Sequence, residues 1–241
     1  MSKNILIAGK PFPASTDLAD SFAINGYNVT AASTPDNSTT STGAGTKLAP
    51  WNSGSAISAR SLLIQAETNF GYTDNAILYF DSDYFVSQFP VFSTDVCSKI
   101  SDTMICGFQF LTLELLNRIQ QKNQKCRIIF ILKTHPTVCD FAKSSALRKA
   151  AVSPASPLVG AAEAAFATFA ENIAAISLEH QNLSTLLITG DSQNEFLSDD
   201  STLASWLAST IESLDSAKKE SKSVSWTKAG SKPSSGLSLF H

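Results

Sequence analysis

The stretch Ile5-Leu6-Ile7-Ala8-Gly9, followed by Lys10-Pro11-Phe12-Pro13-Ala14-Ser15, decides how the rest of the chain is read. A short apolar run that closes on glycine and leads into an amphipathic helix opens a strand–turn–helix unit able to approach a phosphate. The helix is expected to begin near Ser15 or Thr16, with Asp17 in its first turn. Leu18, Ala19, Phe22 and Ala23 then form its apolar face, and a second strand follows at Tyr27 to Ala32. The glycines of such a turn let the backbone reach a pyrophosphate. Here Gly9 alone holds such a position, and Pro13 and Ser15 stand where the next two belong. Pro13 has no N–H to offer a phosphate. Gly9 has a second use, which is to permit the tight turn itself. The helix N-terminus near Ser15 is expected to keep free N–H groups at which an anion can bind.

Strand and helix signals alternate through the rest of the chain. That is the pattern of an α/β fold, a doubly wound parallel sheet with helices on both faces in a single domain. Ser33 to Gly45 is rich in Ser, Thr, Asn and Gly and reads as a loop. Lys47 to Trp51 is a weak third strand, and Ala76 to Phe80 a clear fourth. Between them, Ser55 to Phe70 has helical spacing, with Ile57, Leu62, Leu63 and Ala66 on one side and Gly71 at its end. A long helix is expected from about Thr94 to Gln121. Arg127 to Leu132 is apolar almost throughout, as a central parallel strand is. After a long connection to about Ser156, an Ala-rich helix spans Pro157 to Leu178. Ser184 to Ile188 is the sixth strand and Ser201 to Leu214 a last helix. The expected domain covers residues 1–215. Residues 216–241 form a polar segment, ordered at most in part, with one short strand at Ser223 to Thr227.

The chain has 241 residues, 43% of them hydrophobic, enough to bury a substantial core. A net charge of −3 gives no basic surface for nucleic acid, and the basic cluster Lys218, Lys219 and Lys222 reads as solvated tail. No signal peptide and no membrane-spanning run is expected, so the expected location is cytoplasmic. The four cysteines, Cys97, Cys106, Cys126 and Cys139, form no C-x-x-C pair and no zinc-like pattern with histidine, so no metal site is expected.

This order of elements resembles the short-chain dehydrogenase/reductase family over about residues 3–215. Gly9 matches the start of that family's T-G-x-x-x-G-x-G turn. Val159-Gly160-Ala161-Ala162-Glu163-Ala164-Ala165-Phe166 has the shape of its Y-x-A-S-K-A-A-L helix, and Thr189-Gly190 stands where a P-G pair closes the sixth strand. The resemblance implies a Rossmann-type fold, NAD or NADP as cofactor, and a homodimer or tetramer built on two helices of each subunit. It implies a catalytic Tyr at Val159 and a Lys at Glu163. It also implies an Asn at Met104, judged from Gly107, and a Ser near Leu132 or Lys133. None of the four is present. An i, i+4 Tyr/Lys pair shares one helix face, which is why that spacing supports proton transfer. Val159 has no proton to give, and Glu163 carries the opposite charge. Tyr79-Phe80-Asp81-Ser82 replaces the family's N-N-A-G, and Ser33 stands where a charged residue selects between NAD and NADP.

Polar residues nevertheless collect at the expected carboxyl ends of strands, where ligands bind in open α/β sheets. They are Lys10, Asp81, Asp83, Tyr84, Lys133, Thr134, His135, Thr189 and Asp191. Two readings stand. One is a reassembled site, with Lys133 or His135 as acid or base beside an aspartate such as Asp81. The other is that strand ends face water and are polar in any doubly wound fold. Weak cofactor or nucleotide contacts fall to Gly9, Lys10, Ser15, Ser33, Asp81 and Thr189. The functional expectation is a degenerate short-chain dehydrogenase-like protein with a non-catalytic, ligand-binding or assembly role. The alternative is an NAD(P)-dependent oxidoreductase with an altered site. Met104, Phe108, Leu111 and Leu115 either form an interface between subunits or cover their own sheet.

Overall fold

A computed structural model describes residues 3–11, 13–34, 43, 45–89, 93–143, 156–217 and 224–231. Phe12, most of the Ser33–Gly45 loop, the tail lysines 218, 219 and 222, and most of the connection before Ser156 lie outside the described residues. Seven parallel strands form one sheet: β1 (Asn4–Ala8), β2 (Asn28–Ser33), β3 (Thr46–Pro50), β4 (Asn75–Asp81), β5 (Cys126–Thr134), β6 (Leu183–Asp191) and β7 (Thr227–Lys228). Their order is β3-β2-β1-β4-β5-β6-β7, so the winding reverses between β1 and β4. The crevice of a doubly wound sheet opens at that reversal, outside the carboxyl ends of the strands.

The helices are α1 (Ala14–Ile24), α2 (Ala56–Phe70), α3 (Ser82–Gln88), α4 (Thr94–Ile100), α5 (Gly107–Lys122), α6 (Val138–Lys143), α7 (Ser156–Ser177), α8 (Glu195–Ser198) and α9 (Asp200–Ser216). Strand β5 shows why the sheet is covered on both faces. Ile128, Phe130 and Leu132 join the core under α2, α5 and α7. Ile129 and Ile131 join the opposite core under α1 and α9. A period of two over an apolar run supplies both faces at once.

Several sequence expectations change. The long helix from Thr94 is not one regular helix, because a π-helical segment, Ser101–Cys106, separates α4 from α5. Gly107 follows it and lies so close to Ser53 that an added Cβ would sit 2.7 Å from the Ser53 Cβ. Ile57, expected on the buried side of α2, is 80% exposed, because the buried stripe runs through Ala59, Leu62, Leu63 and Ala66. Met104, Phe108, Leu111 and Leu115 are all buried in the chain's own core, so the interface reading of these four is set aside. Helix Pro157–Ser177 is, by length and composition, long and apolar enough to cross a membrane, contrary to the expectation that no run would be. Its alanines raise its hydropathy, while Phe166, Ala170, Ile173 and Ala174 are buried against the sheet. The sheet also draws on residues past 215, through β7 beside β6.

Candidate functional site: the crevice at the carboxyl ends of the strands

The β1 side of the crevice is built from the turn after Ala8. Gly9 has φ +92, in the left-handed region. A Cβ there would overlap the Tyr79 carbonyl oxygen and lie 2.6 Å from the Phe108 ring. The bare face of Gly9 is therefore filled by Phe108. That ring also meets Trp51 edge-on, with centroids 6.3 Å apart, and lies among Phe80 and Phe166. Two of the N–H groups expected to be free at the start of α1, those of Ser15 and Thr16, are engaged. Ser15 N donates to Pro11 O at 2.8 Å and Thr16 N to Pro13 O at 2.8 Å, and Asp17 N also reaches Pro13 O. The carbonyls of the two prolines cap the first turn of the helix, which leaves the expected anion site fewer donors. Lys10 lines the crevice, but its charge is engaged within the protein. Its Nζ pairs with Asp200 at the start of α9 and lies 4.7 Å over the Tyr79 ring. Burial pushes the Asp200 carboxyl up, and its bond from Lys10 only partly offsets this.

What remains open here is a cavity of about 130 Å³, lined by Gly9, Ser33, Trp51, Tyr84 and Phe108 among others. Ser33 is buried, and neither its hydroxyl nor the Ser15 hydroxyl has a partner among the described residues. Thr189 stands apart from this group, since its carbonyl accepts from Ala229 N and its strand position is covered by β7.

The β4–β5 side is a charged network. Register places Asp81 opposite Lys133 on adjacent strands, so two residues further on Asp83 and His135 come together. Asp81 caps α3 by accepting from Tyr84 N at 3.1 Å. Lys133 Nζ lies 3.5 Å from Asp81 and 3.2 Å from Asp83. His135 Nδ1 lies 2.6 Å from Asp83 Oδ1. Glu163, one turn along α7 from Val159, accepts from the Ser82 hydroxyl at 2.6 Å and from His135 N at 3.4 Å. Burial raises its carboxyl above the usual range, and those two hydrogen bonds only partly offset the rise. Val159 is 1% exposed and Met104 fully buried, so neither offers a group to a ligand.

Sequence reasoning named Asp81, Asp83, Lys133 and His135, and the structure brings all four together. It missed Ser82 as the partner of Glu163, and Phe108 as the ring that closes Gly9. Counting from the strand ends could have found Ser82. Nothing local could have found Phe108, which meets Gly9 from 99 positions further along the chain.

Many solved structures share this architecture. A 3-ketoacyl-(acyl-carrier-protein) reductase from Brucella melitensis, complexed with NADH, matches at a TM-score of 0.61 and 13% identity, over 94% of this chain and 96% of that one. A short-chain dehydrogenase from Mycobacterium smegmatis matches at 0.62 and 13% identity, over 96% and 93%. The chain has the short-chain dehydrogenase/reductase fold. ElxO with NADP bound is a further match, at a TM-score of 0.58 and 15% identity over 95% of this chain and 97% of that one. No family sequence model matches the chain, and no curated protein sequence does. At these identities the likeness is one of fold. Set against a dinucleotide, this version of the fold fits poorly. A cavity of about 130 Å³ is below the roughly 300–1,000 Å³ of ordinary ligand pockets. The Ser15, Thr16 and Asp17 amides and the Lys10 ammonium are already engaged.

Proposed function

We propose that this chain uses the short-chain dehydrogenase/reductase fold for binding or assembly, without dehydrogenase catalysis. The observation that carries this reading is Phe108 seated on Gly9, because the glycine's freedom is spent on an aromatic contact rather than on a phosphate. Val159 and Glu163 at the Tyr and Lys positions support it. The test is fluorescence titration with NADH and NADPH, for which little or no saturable binding is expected. A micromolar dissociation constant for either, about −8 kcal/mol, would overturn the reading.

A second reading has an observation of its own. His135 and Asp83 make a 2.6 Å contact in which the carboxylate can orient the imidazole and leave Nε2 for proton transfer. In that reading the chain is an NAD(P)-dependent oxidoreductase whose acid or base is His135 or Lys133, and cofactor binding in the same titration favours it.

The assembly part of the proposal is a homodimer or tetramer through the outward faces of α5 and α7, where Leu113 is 51% exposed and Ala161 and Ala164 are small and exposed. Light scattering after size-exclusion chromatography should show more than one subunit. Leu113→Glu with Ala164→Glu should return a folded monomer, and a monomeric wild type at high micromolar concentration removes this part alone.

A further inference from the structure

At the opposite end of the sheet, below the amino ends of β1, β4, β5 and β6, lies a cavity of about 360 Å³, larger than the crevice and within the range of ligand pockets. Its floor is Arg127 and Asn75, 8% and 2% exposed. Lys3, Lys125, Asp74 and Asp215 stand around it, with Leu183 and Leu214 as apolar wall. Asp215 pairs with two cations among the described residues: Arg127 Nη2 lies 3.0 Å away and Lys3 pairs with it as well. Burial pushes the Asp215 carboxyl up, but the bonds from Lys3 and Arg127 more than offset this and hold it below the usual range.

The other two charges are not spent in this way. Asp74 accepts from Asn4 N through Oδ2 at 2.8 Å, and its second oxygen has no partner among the described residues. Lys125 likewise has no carboxylate within ion-pair distance among the described residues, although it lines the same cavity as Asp74. A lysine and an aspartate that line one cavity without pairing with each other suit a molecule that bridges them with the opposite charges. Apolar wall between them suits a short hydrocarbon side chain.

The geometry points to a binding site for a small zwitterion, an apolar α-amino acid, at the amino ends of the strands. Its carboxylate lies toward Lys125, above the buried Arg127, and its ammonium lies toward Asp74. This site is separate from the crevice, and it stands whether or not the crevice takes a cofactor.

The probe is L-leucine, titrated into the full chain by heteronuclear NMR. Two relatives of the same shape are run beside it: 4-methylpentanoate, which lacks the ammonium, and isoamylamine, which lacks the carboxylate. Leucine should give saturable shifts at residues 74–75, 125–127 and 182–184, and each relative should bind at least about tenfold more weakly. Lys125→Gln and Asp74→Asn should each weaken leucine by about the same factor, and Asp74→Asn keeps an oxygen to accept from Asn4 N. Circular dichroism melts confirm that both variants fold. No saturable shift up to about 10 mM overturns the site. Equal binding of 4-methylpentanoate and leucine overturns the zwitterion assignment, since Asp74 then takes no part. NADH added to the same sample reports on the crevice through residues 9–17, so failure of one proposal is read separately from failure of the other.

Discussion

The two halves of the crevice have diverged in opposite directions, although they lie at the same end of one sheet. Beside β1 the groups that would meet a phosphate are closed by packing: Phe108 fills Gly9, two proline carbonyls cap α1, and Lys10 is drawn to Asp200. Beside β4 and β5 the side chains are charged and tied to each other through Asp83, Lys133, His135 and Glu163. The first half is packed down to a cavity of about 130 Å³. The second has kept titratable groups, but they hold α3 and α7 together, and the Ser82 hydroxyl at their centre is fully buried. On the function proposed above, a fold keeps its switch point while the groups around it turn to packing on one side and to each other on the other.

The sharpest way to break this comparison is Gly9→Ala. If the glycine served only an approaching phosphate, the change would cost little stability. Since its φ is +92 and its Cβ position is occupied by Tyr79 O and Phe108, it should cost more than about 4 kcal/mol in urea unfolding. Phe108→Ala should cost about 3–5 kcal/mol by leaving a cavity in the core. The double variant separates the causes. Removing the ring relieves part of the clash, so the two losses should fall short of additivity by about 1–3 kcal/mol. Strict additivity would mean that Phe108 and Gly9 do not depend on one another.

The sheet is legible in the sequence because its strands are short apolar runs between turn residues, and β1, β4 and β5 each feed both core faces. The fate of the crevice was legible only in part. Asp81 and Lys133 end adjacent strands, so their meeting follows from strand order plus register. Lys10 with Asp200 and Gly9 with Phe108 are contacts between distant parts of the chain, and no local pattern encodes them. The prolines misled for a physical reason. Pro13 has no N–H to give, yet its carbonyl takes up the Thr16 and Asp17 amides of α1. Helical period places the Phe108 side chain on a face but does not say whether that face meets a sheet or another subunit.

Restoring the family's residues tests the charged half. Val159→Tyr with Glu163→Lys places the pair at its i, i+4 spacing, but position 159 is 1% exposed and well packed. The added ring should cost about 1–3 kcal/mol. The new lysine also removes the acceptor that Ser82 and His135 N now use. No reduction of a generic ketone with NADPH is expected, because the turn beside β1 stays closed. Robust turnover would show that the two halves are still one working site.

The smallest expected effect is Glu163→Gln, and its pH dependence is what identifies it. Burial raises the Glu163 carboxyl above its ordinary value when the protein is folded. The folded chain then holds this proton more tightly than the unfolded chain does. The stability linked to it is complete below the unfolded value and is lost as pH rises through the raised folded one. Glutamine keeps an oxygen to accept from Ser82 and His135 N but carries no charge to desolvate. At neutral pH the variant should therefore be as stable as the wild type or more so, by about 1 kcal/mol or less. The gain should shrink as pH falls through the carboxylate range. Thermal melts at several pH values measure this. A variant that is less stable at neutral pH, and recovers relative to the wild type in acid, would mean that the Glu163 charge is attracted by Lys133 and His135 more strongly than burial opposes it. The β4–β5 half would then be an electrostatic clamp rather than a desolvated remnant.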